Sequence, residues 1–177
     1  MSRAVAEVDL LAIAQNLKLI KAKTSAQVLA VVKADAYGHG LVPVAKAAVA
    51  AGADWLGTAL LEEGIALRAA GVKAPLICWL TPLGEDLKTA VKNNIDLSIS
   101  SLELLEEVID AGRAANIVPR IHLEVDTGMT RVVCEVIGQS LLPKLLKRLK
   151  IMELKLLVCG LTLPGLMNQI KSLIKNN

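Results

Sequence analysis

Along the first 125 residues, short apolar runs alternate with longer stretches in which apolar positions recur at helical spacing. The runs fall near Val5–Val8, Val28–Val32, Trp55–Ala59, Leu76–Leu80, Ile95–Ile99 and Arg120–Val125. Between them, Leu41–Ala51, Leu60–Ala70 and Leu102–Ala111 carry the helical period and end at Gly52, Gly71 and Gly112, which predicts helices stopped by glycine. Asp9, ahead of Leu10, Ile13, Asn16 and Leu17, predicts a capped first helix. Strand and helix in strict alternation predict an α/β fold with a parallel sheet, either closed into a barrel or open and doubly wound.

One strand end carries the most chemistry. Leu29 to Val32 reads as a buried parallel strand, and the next residue, Lys33, emerges at its carboxyl end, where barrel and open-sheet enzymes keep their active sites. A lysine stem held against apolar walls disfavours the ammonium form, which makes a better amine nucleophile toward a carbonyl. An ordinary solvated lysine is the competing reading. Gly38 and Gly40 fit a loop that approaches a ligand closely or takes positive φ, and His39 between them fits a loop-ordering hydrogen bonder. Farther on, Ile121, Leu123 and Val125 alternate with His122, Glu124 and Asp126, the period of a strand with two unlike faces, and lead to Thr127-Gly128-Met129-Thr130-Arg131.

Val31-Val32-Lys33-Ala34-Asp35-Ala36-Tyr37-Gly38-His39-Gly40 resembles the pyridoxal-phosphate lysine motif of alanine racemases, and Ile121 to Arg131 resembles a later strand and loop of the same family. Ala6–Leu10 and Trp55–Arg68 extend the resemblance, so that it covers Ala6 to Arg131. The resemblance implies a TIM-type (β/α) barrel, incomplete here and lacking the family's carboxyl-terminal β domain. It also implies pyridoxal 5'-phosphate as cofactor and interconversion of L-alanine and D-alanine, which supplies D-alanine for peptidoglycan. Carried over by position, Lys33 is the cofactor lysine and one of two catalytic bases, Tyr37 binds the cofactor phosphate, and Arg131 reaches the cofactor's phenolic oxygen and the substrate. Glu124 stands where many members carry a lysine that becomes carbamylated; its own carboxylate would brace Arg131 unmodified. The family's second base is a tyrosine from the partner subunit of a homodimer. Tyr37 is the only tyrosine in this sequence, so the chain as given is expected to racemise poorly or not at all, and its dimerisation is in doubt. Competing readings are a barrel-type decarboxylase using the same cofactor, a non-catalytic pyridoxal-phosphate-binding protein, and an inactive pseudogene product.

Composition narrows the remainder. The chain has 177 residues, a one-domain length, and is 54% hydrophobic with no Phe, which predicts a core of layered aliphatics. Cys78, Cys134 and Cys159 lack metal-ligand spacing and read as reduced thiols. Glu7 and Asp9 break the first apolar run before a signal peptide could form, and Leu156–Ile170 is too short to span a bilayer of about 30 Å; a cytoplasmic location follows as the expectation. Residues 132–177 hold seven Lys or Arg against two Glu, so the whole-chain charge of +3 comes from the tail and residues 1–131 are net negative. No aromatic-basic interleaving accompanies that charge, which argues against nucleic acid.

The chain therefore divides into a racemase-like segment, 1–131, and a divergent Leu/Lys-rich tail, 132–177. Leu141–Leu157 has the spacing of one amphipathic helix, with a membrane-surface helix as the lesser alternative. A frame-shifted translation also accounts for the tail. With one base restored near Arg131, codons compatible with Arg131–Gly138 can spell Gly-Gly-Val-Arg-Ser-Asp-Trp, and those of Val158–Ile170 can spell Trp-Ser-His-Phe-Ala-Trp-Ala-Asp-Glu-Pro-Asn, the next motif of the resembled family.

Overall fold

The computed structural model describes residues 4–124 and 155–157. Its chain separates into two compact units, Met1–Trp79 and Leu80–Asn177.

In the first unit, helix α1 spans Leu10–Lys21, and Asp9 caps it as expected: one carboxylate oxygen accepts the amides of Leu11 at 2.9 Å and Ala12 at 3.0 Å. Strand β1 (Leu29–Val31) leads through a turn at Lys33–Gly38 into α2 (Leu41–Ala50). Strand β2 (Trp55–Thr58), helix α3 (Leu61–Ala69) and strand β3 (Leu76–Cys78) follow. β1 and β2 run parallel with Val31 opposite Gly57, and β2 and β3 run parallel with Gly57 opposite Ile77. Leu56, Leu67 and Leu76 are fully buried, and Ala45 and Ala48 put small side chains on the inward face of α2.

Gly57 lies at mid-strand, where glycine weakens a sheet unless something must come close. A Cβ there would meet the Trp79 ring at 2.4 Å and Leu29 Cδ2 at 2.8 Å, so the missing side chain makes room for the indole.

Asp54 ties three pieces of this unit together. Its Oδ2 accepts Lys21 Nζ from the end of α1 and the Val28 amide ahead of β1, each at 2.7 Å. The Lys21 hydrogen bond first, and then the Val28 amide, hold the Asp54 carboxyl below the usual aspartate range. A carboxyl lowered by folding contributes stability above its unfolded value, and that contribution disappears as the pH falls through the folded value. Asp54→Asn is expected to lower the urea midpoint at pH 7, with the gap to the parent chain closing as the pH drops below about 4.

In the second unit, helix α4 (Leu87–Lys92) is capped by Asp86, and α5 (Leu102–Ala115) by Ser101, whose Oγ accepts the Leu104 amide at 3.1 Å. Strand β4 (Asp96–Ile99) pairs parallel with β5 (Arg120–Leu123), and β5 pairs parallel with β6 (Lys155–Leu157). Leu97, Ile99 and Ile121 are fully buried, together with Leu105, Val108 and Ile109 of α5.

Four expectations change. Val5–Val8 forms no strand; the segment has no regular secondary structure and Val5 is largely exposed, because an alternating run needs a paired neighbour and has none among the described residues. β1 is less buried than a central strand: Val32 is 1% exposed but Val31 is 40% exposed, since β1 is paired on one side only among the described residues. α5 does not stop at Gly112 but runs to Ala115, and Asn116 takes the left-handed stop at φ 54°. Gly112 is glycine for packing, because a Cβ there would meet Pro119 Cγ at 2.6 Å and the Ile117 carbonyl oxygen at 2.9 Å. Lys155–Leu157, the end of the expected tail helix, is instead strand β6, whose backbone is satisfied by β5; the rest of that helix lies outside the described residues. Helix α4, with only six residues, was too short for its period to stand out in the sequence.

Candidate functional site

Lys33 follows β1 directly, at the strand's carboxyl end, and is half-buried. What comes next is not an ordinary loop. Ala34, Asp35, Ala36 and Tyr37 all lie in the left-handed region, with φ between 52° and 56°, and Gly38 continues at φ 82°. Left-handed helical backbone costs roughly 1–2 kcal/mol per non-glycine residue. Four in succession form a strained turn that its surroundings must hold.

Those surroundings can be named. The Ala36 amide donates to Val32 O at 2.9 Å, and the Gly40 amide donates to Asp35 O at 2.9 Å. Asp35 Oδ1 accepts the Leu41 amide at 2.6 Å, which fixes the turn to the start of α2. His39 Nδ1 lies 2.9 Å from Ala36 O and 3.1 Å from Tyr37 O, the loop-ordering role read from its glycine neighbours. Glu63 Oε1 accepts the Ala34 amide at 2.5 Å. Turn strain of this kind, locked from several sides, is typical of functional positions.

The turn brings two predicted site residues together. Lys33 Nζ stands 6.0 Å from the centroid of the Tyr37 ring, the outer limit of a cation–π contact, so amine and phenol share one side of the turn. Tyr37 is 61% exposed, and a Cβ on Gly38 would meet nothing within 4 Å, which leaves open space beside the pair. An amine able to condense with an aldehyde, beside a hydroxyl able to donate to a phosphate, fits a cofactor bearing both groups. Arg131, the third predicted site residue, lies outside the described residues, as does Asp126.

In the second unit, the faces of β4 and β5 opposite the leucine layer are polar. Asp96 is fully buried; its Oδ1 accepts both Nε (2.7 Å) and Nη2 of Arg120, and its Oδ2 lies 3.1 Å from His122 Nε2. Arg120 Nη1 also donates to Asn94 Oδ1 at 2.5 Å. Toward the carboxyl ends of the same strands, Ser98 Oγ donates to Glu124 Oε2 at 3.0 Å. Asp96 and Arg120 open their strands, at the end that barrels give to stability. Glu124 follows the carboxyl end of β5, the end that barrels give to chemistry, and its bond to Ser98 already orients it. Of the cysteines, Cys78 is a buried thiol that donates to Ala59 O at 3.0 Å; Cys134 and Cys159 lie outside the described residues. Among the described residues, no cluster of His, Cys, Asp or Glu could hold a metal ion, and no helix is long and apolar enough to cross a membrane.

With this geometry in place, comparison with known proteins is decisive for the family. The family model described as the alanine racemase N-terminal domain matches residues 8–158. The chain belongs to the alanine racemase N-terminal domain family. The alanine racemase of Thermobifida fusca is 53% identical over 131 residues, covering 73% of this chain and 35% of that protein. That of Beutenbergia cavernae is 53% identical over 127 residues, covering 71% and 34%. Among solved structures, the alanine racemase from Streptomyces coelicolor A3(2) has 35% identity and a TM-score of 0.80, covering 96% of this chain and 50% of that one. The enzyme from a D-cycloserine-producing Streptomyces lavendulae reaches a TM-score of 0.82 at 35% identity, with 96% and 48% covered. The chain thus spans about a third of the length of these curated racemases and about half of the solved chains. Its fold is the TIM-like α/β barrel of the family's N-terminal domain, present as a partial parallel sheet with its helices, and this settles the choice between barrel and open sheet. The family depends on pyridoxal 5'-phosphate.

Sequence reasoning missed three features of the site region. No glycine marks Ala34–Tyr37 as left-handed. Glu63 lies 29 residues from Ala34, so nothing local announces their bond. Asp96, Arg120 and His122 read singly as strand residues, although the alternation on β5 did set His122 and Glu124 on one face.

Proposed function

We propose that this chain carries the cofactor-bearing part of an alanine racemase that interconverts L-alanine and D-alanine and supplies D-alanine for peptidoglycan. The observation that carries this reading is Lys33 at the carboxyl end of β1 with Tyr37 on the same turn, in a chain 53% identical to a racemase over its first three quarters. Pyridoxal phosphate, when bound, supplies the electron sink that makes an amino acid's α-proton removable. Lys33 would hold that cofactor through its aldehyde and would move a proton on one face of the substrate's α-carbon. The Tyr37 hydroxyl would donate to the phosphate. Arg131 would reach the phenolic oxygen and the substrate side of the site with its forked donors, with Glu124 as its brace.

Inverting a stereocentre needs a second base on the opposite face. In this reading Tyr37, the only tyrosine in the sequence, serves the phosphate on the same turn as Lys33, so the family's second base, a tyrosine of the partner subunit, has no counterpart among these residues and racemisation by this chain is slow or absent. A cytoplasmic location, without nucleic-acid or membrane partners, belongs to the same reading. The single tyrosine also favours a second reading, a pyridoxal-phosphate-binding protein that performs no racemisation. The division into a racemase segment, 1–131, and a frame-shifted tail, 132–177, is part of the proposal and is tested by sequencing the gene across the Arg131 codon.

The deciding assay incubates the full chain with pyridoxal phosphate and L-alanine in heavy water. A visible cofactor band is expected. Loss of the α-proton signal is expected to be slower than for a full-length relative by about 10²–10⁴-fold, the usual contribution of one general base. A band with no exchange would favour the binding protein, and absence of any band would defeat both readings.

A further inference from the structure

We propose that Glu63 is a positioning residue for Lys33, a clamp that holds the strained turn and thereby fixes the direction in which the amine leaves β1; this rests on the cofactor reading of Lys33. The plain alternative is that Glu63 only caps its own helix. It does cap it: Glu63 is the third residue of α3, and its Oε2 accepts the amides of Ala59 and Leu60, each at 3.0 Å, reaching back over the helix start as an N3 glutamate does. That task occupies one oxygen. The other, Oε1, accepts the Ala34 amide at 2.5 Å, which does nothing for α3. Ala34 is the residue after Lys33 and the first of the four left-handed residues.

The carboxylate therefore joins the loops that follow two paired parallel strands, β1 and β2, at the end of the sheet where Lys33 stands. It is half-buried, and Ala59 and Leu60 hold it in place as much as it holds them. The other contacts of the turn act farther along, at Asp35, Ala36, Tyr37 and Gly40. Glu63 alone among the side chains described here bonds the backbone immediately after Lys33. Without it, the turn is free to start one residue later or relax toward ordinary backbone, and Lys33 Nζ loses its fixed place beside Tyr37. A glutamine has one acceptor oxygen and one donor nitrogen, so it can keep the helix cap or the Ala34 bond but not both. An aspartate is one methylene too short to serve both loops.

The test uses the full chain with Glu63→Gln, Glu63→Asp and Lys33→Ala. Amide hydrogen exchange is read in the cofactor-free proteins, and pyridoxal phosphate binding is read by absorbance. In Glu63→Gln, exchange at Ala34 is expected to quicken at least tenfold while amides within α2 and α3 change less than twofold. The dissociation constant for pyridoxal phosphate is expected to rise about tenfold. Glu63→Asp should show the same local pattern. Unchanged exchange at Ala34, or acceleration spread evenly over α3, would overturn the clamp in favour of a plain cap. So would global unfolding of both variants, because a clamp on one turn is not required by the whole unit. Should the parent chain bind no pyridoxal phosphate, or bind it equally well as Lys33→Ala, the cofactor reading fails, while the exchange data still decide whether Glu63 holds the turn.

Discussion

Replacing Lys33 by alanine is expected to abolish covalent attachment of pyridoxal phosphate. Borohydride reduction of the loaded parent chain should fix the cofactor on the peptide that contains Lys33, and in Lys33→Ala that peptide should carry none. The effect is all-or-none because only a primary amine condenses stably with the aldehyde, and the side chains around it on this turn are Ala34, Asp35, Ala36 and Tyr37. Lys33→Arg should fail as completely, since a guanidinium stays protonated and is no substitute nucleophile. Peptide mapping after reduction is the measurement. Labelling of Lys33→Ala at the parent's stoichiometry on some other lysine would remove Lys33 from the site. A graded loss would point to a surface lysine in competition with its neighbours.

The second large effect concerns stability. Asp96→Ala should destabilise the second unit by about 1.5–3 kcal/mol, the usual cost of deleting hydrogen bonds to a charged group. Asp96 is fully buried and ties its own strand, β4, to β5 through Arg120 and His122, while the Arg120 side chain is 25% exposed. Without the carboxylate, Arg120 turns toward water and its remaining Asn94 contacts, but His122 stays buried beside the vacated position. A loss this size exceeds that of most surface changes several-fold. Denaturant midpoints of Asp96→Ala and Asp96→Asn test it. A loss under about 1 kcal/mol would place the pair in the class of exposed bridges. The prediction concerns the second unit alone, whereas Lys33 belongs to the first.

The two predictions separate what the fold does for function from what it does for itself. At the carboxyl end of β1 the chain accepts strain, four left-handed residues in a row, to place an amine and a phenol together. At the amino ends of β4 and β5 it fills the polar face with a hydrogen-bonded cluster around Asp96.

The sequence by itself determined the βα alternation, the cap at Asp9, the glycine stops at Gly52 and Gly71, and Lys33 at a strand end. Each of these is local: a cap, a glycine stop or a period is written within one element, so it survives being read without neighbours. Lys33 and Tyr37 were legible as a pair through the resembled motif, in which only three residues separate them. Tertiary structure alone decided the rest. Ala34–Tyr37 is left-handed because contacts from Glu63, Asp35 and His39 outweigh an intrinsic preference that points the other way. Gly112 looked like a helix stop and is a packing site, because Pro119 comes from outside the helix to lie against it. Val5–Val8 forms no strand and Lys155–Leu157 forms one, each against its pattern, since a strand exists only where a neighbour supplies its hydrogen bonds.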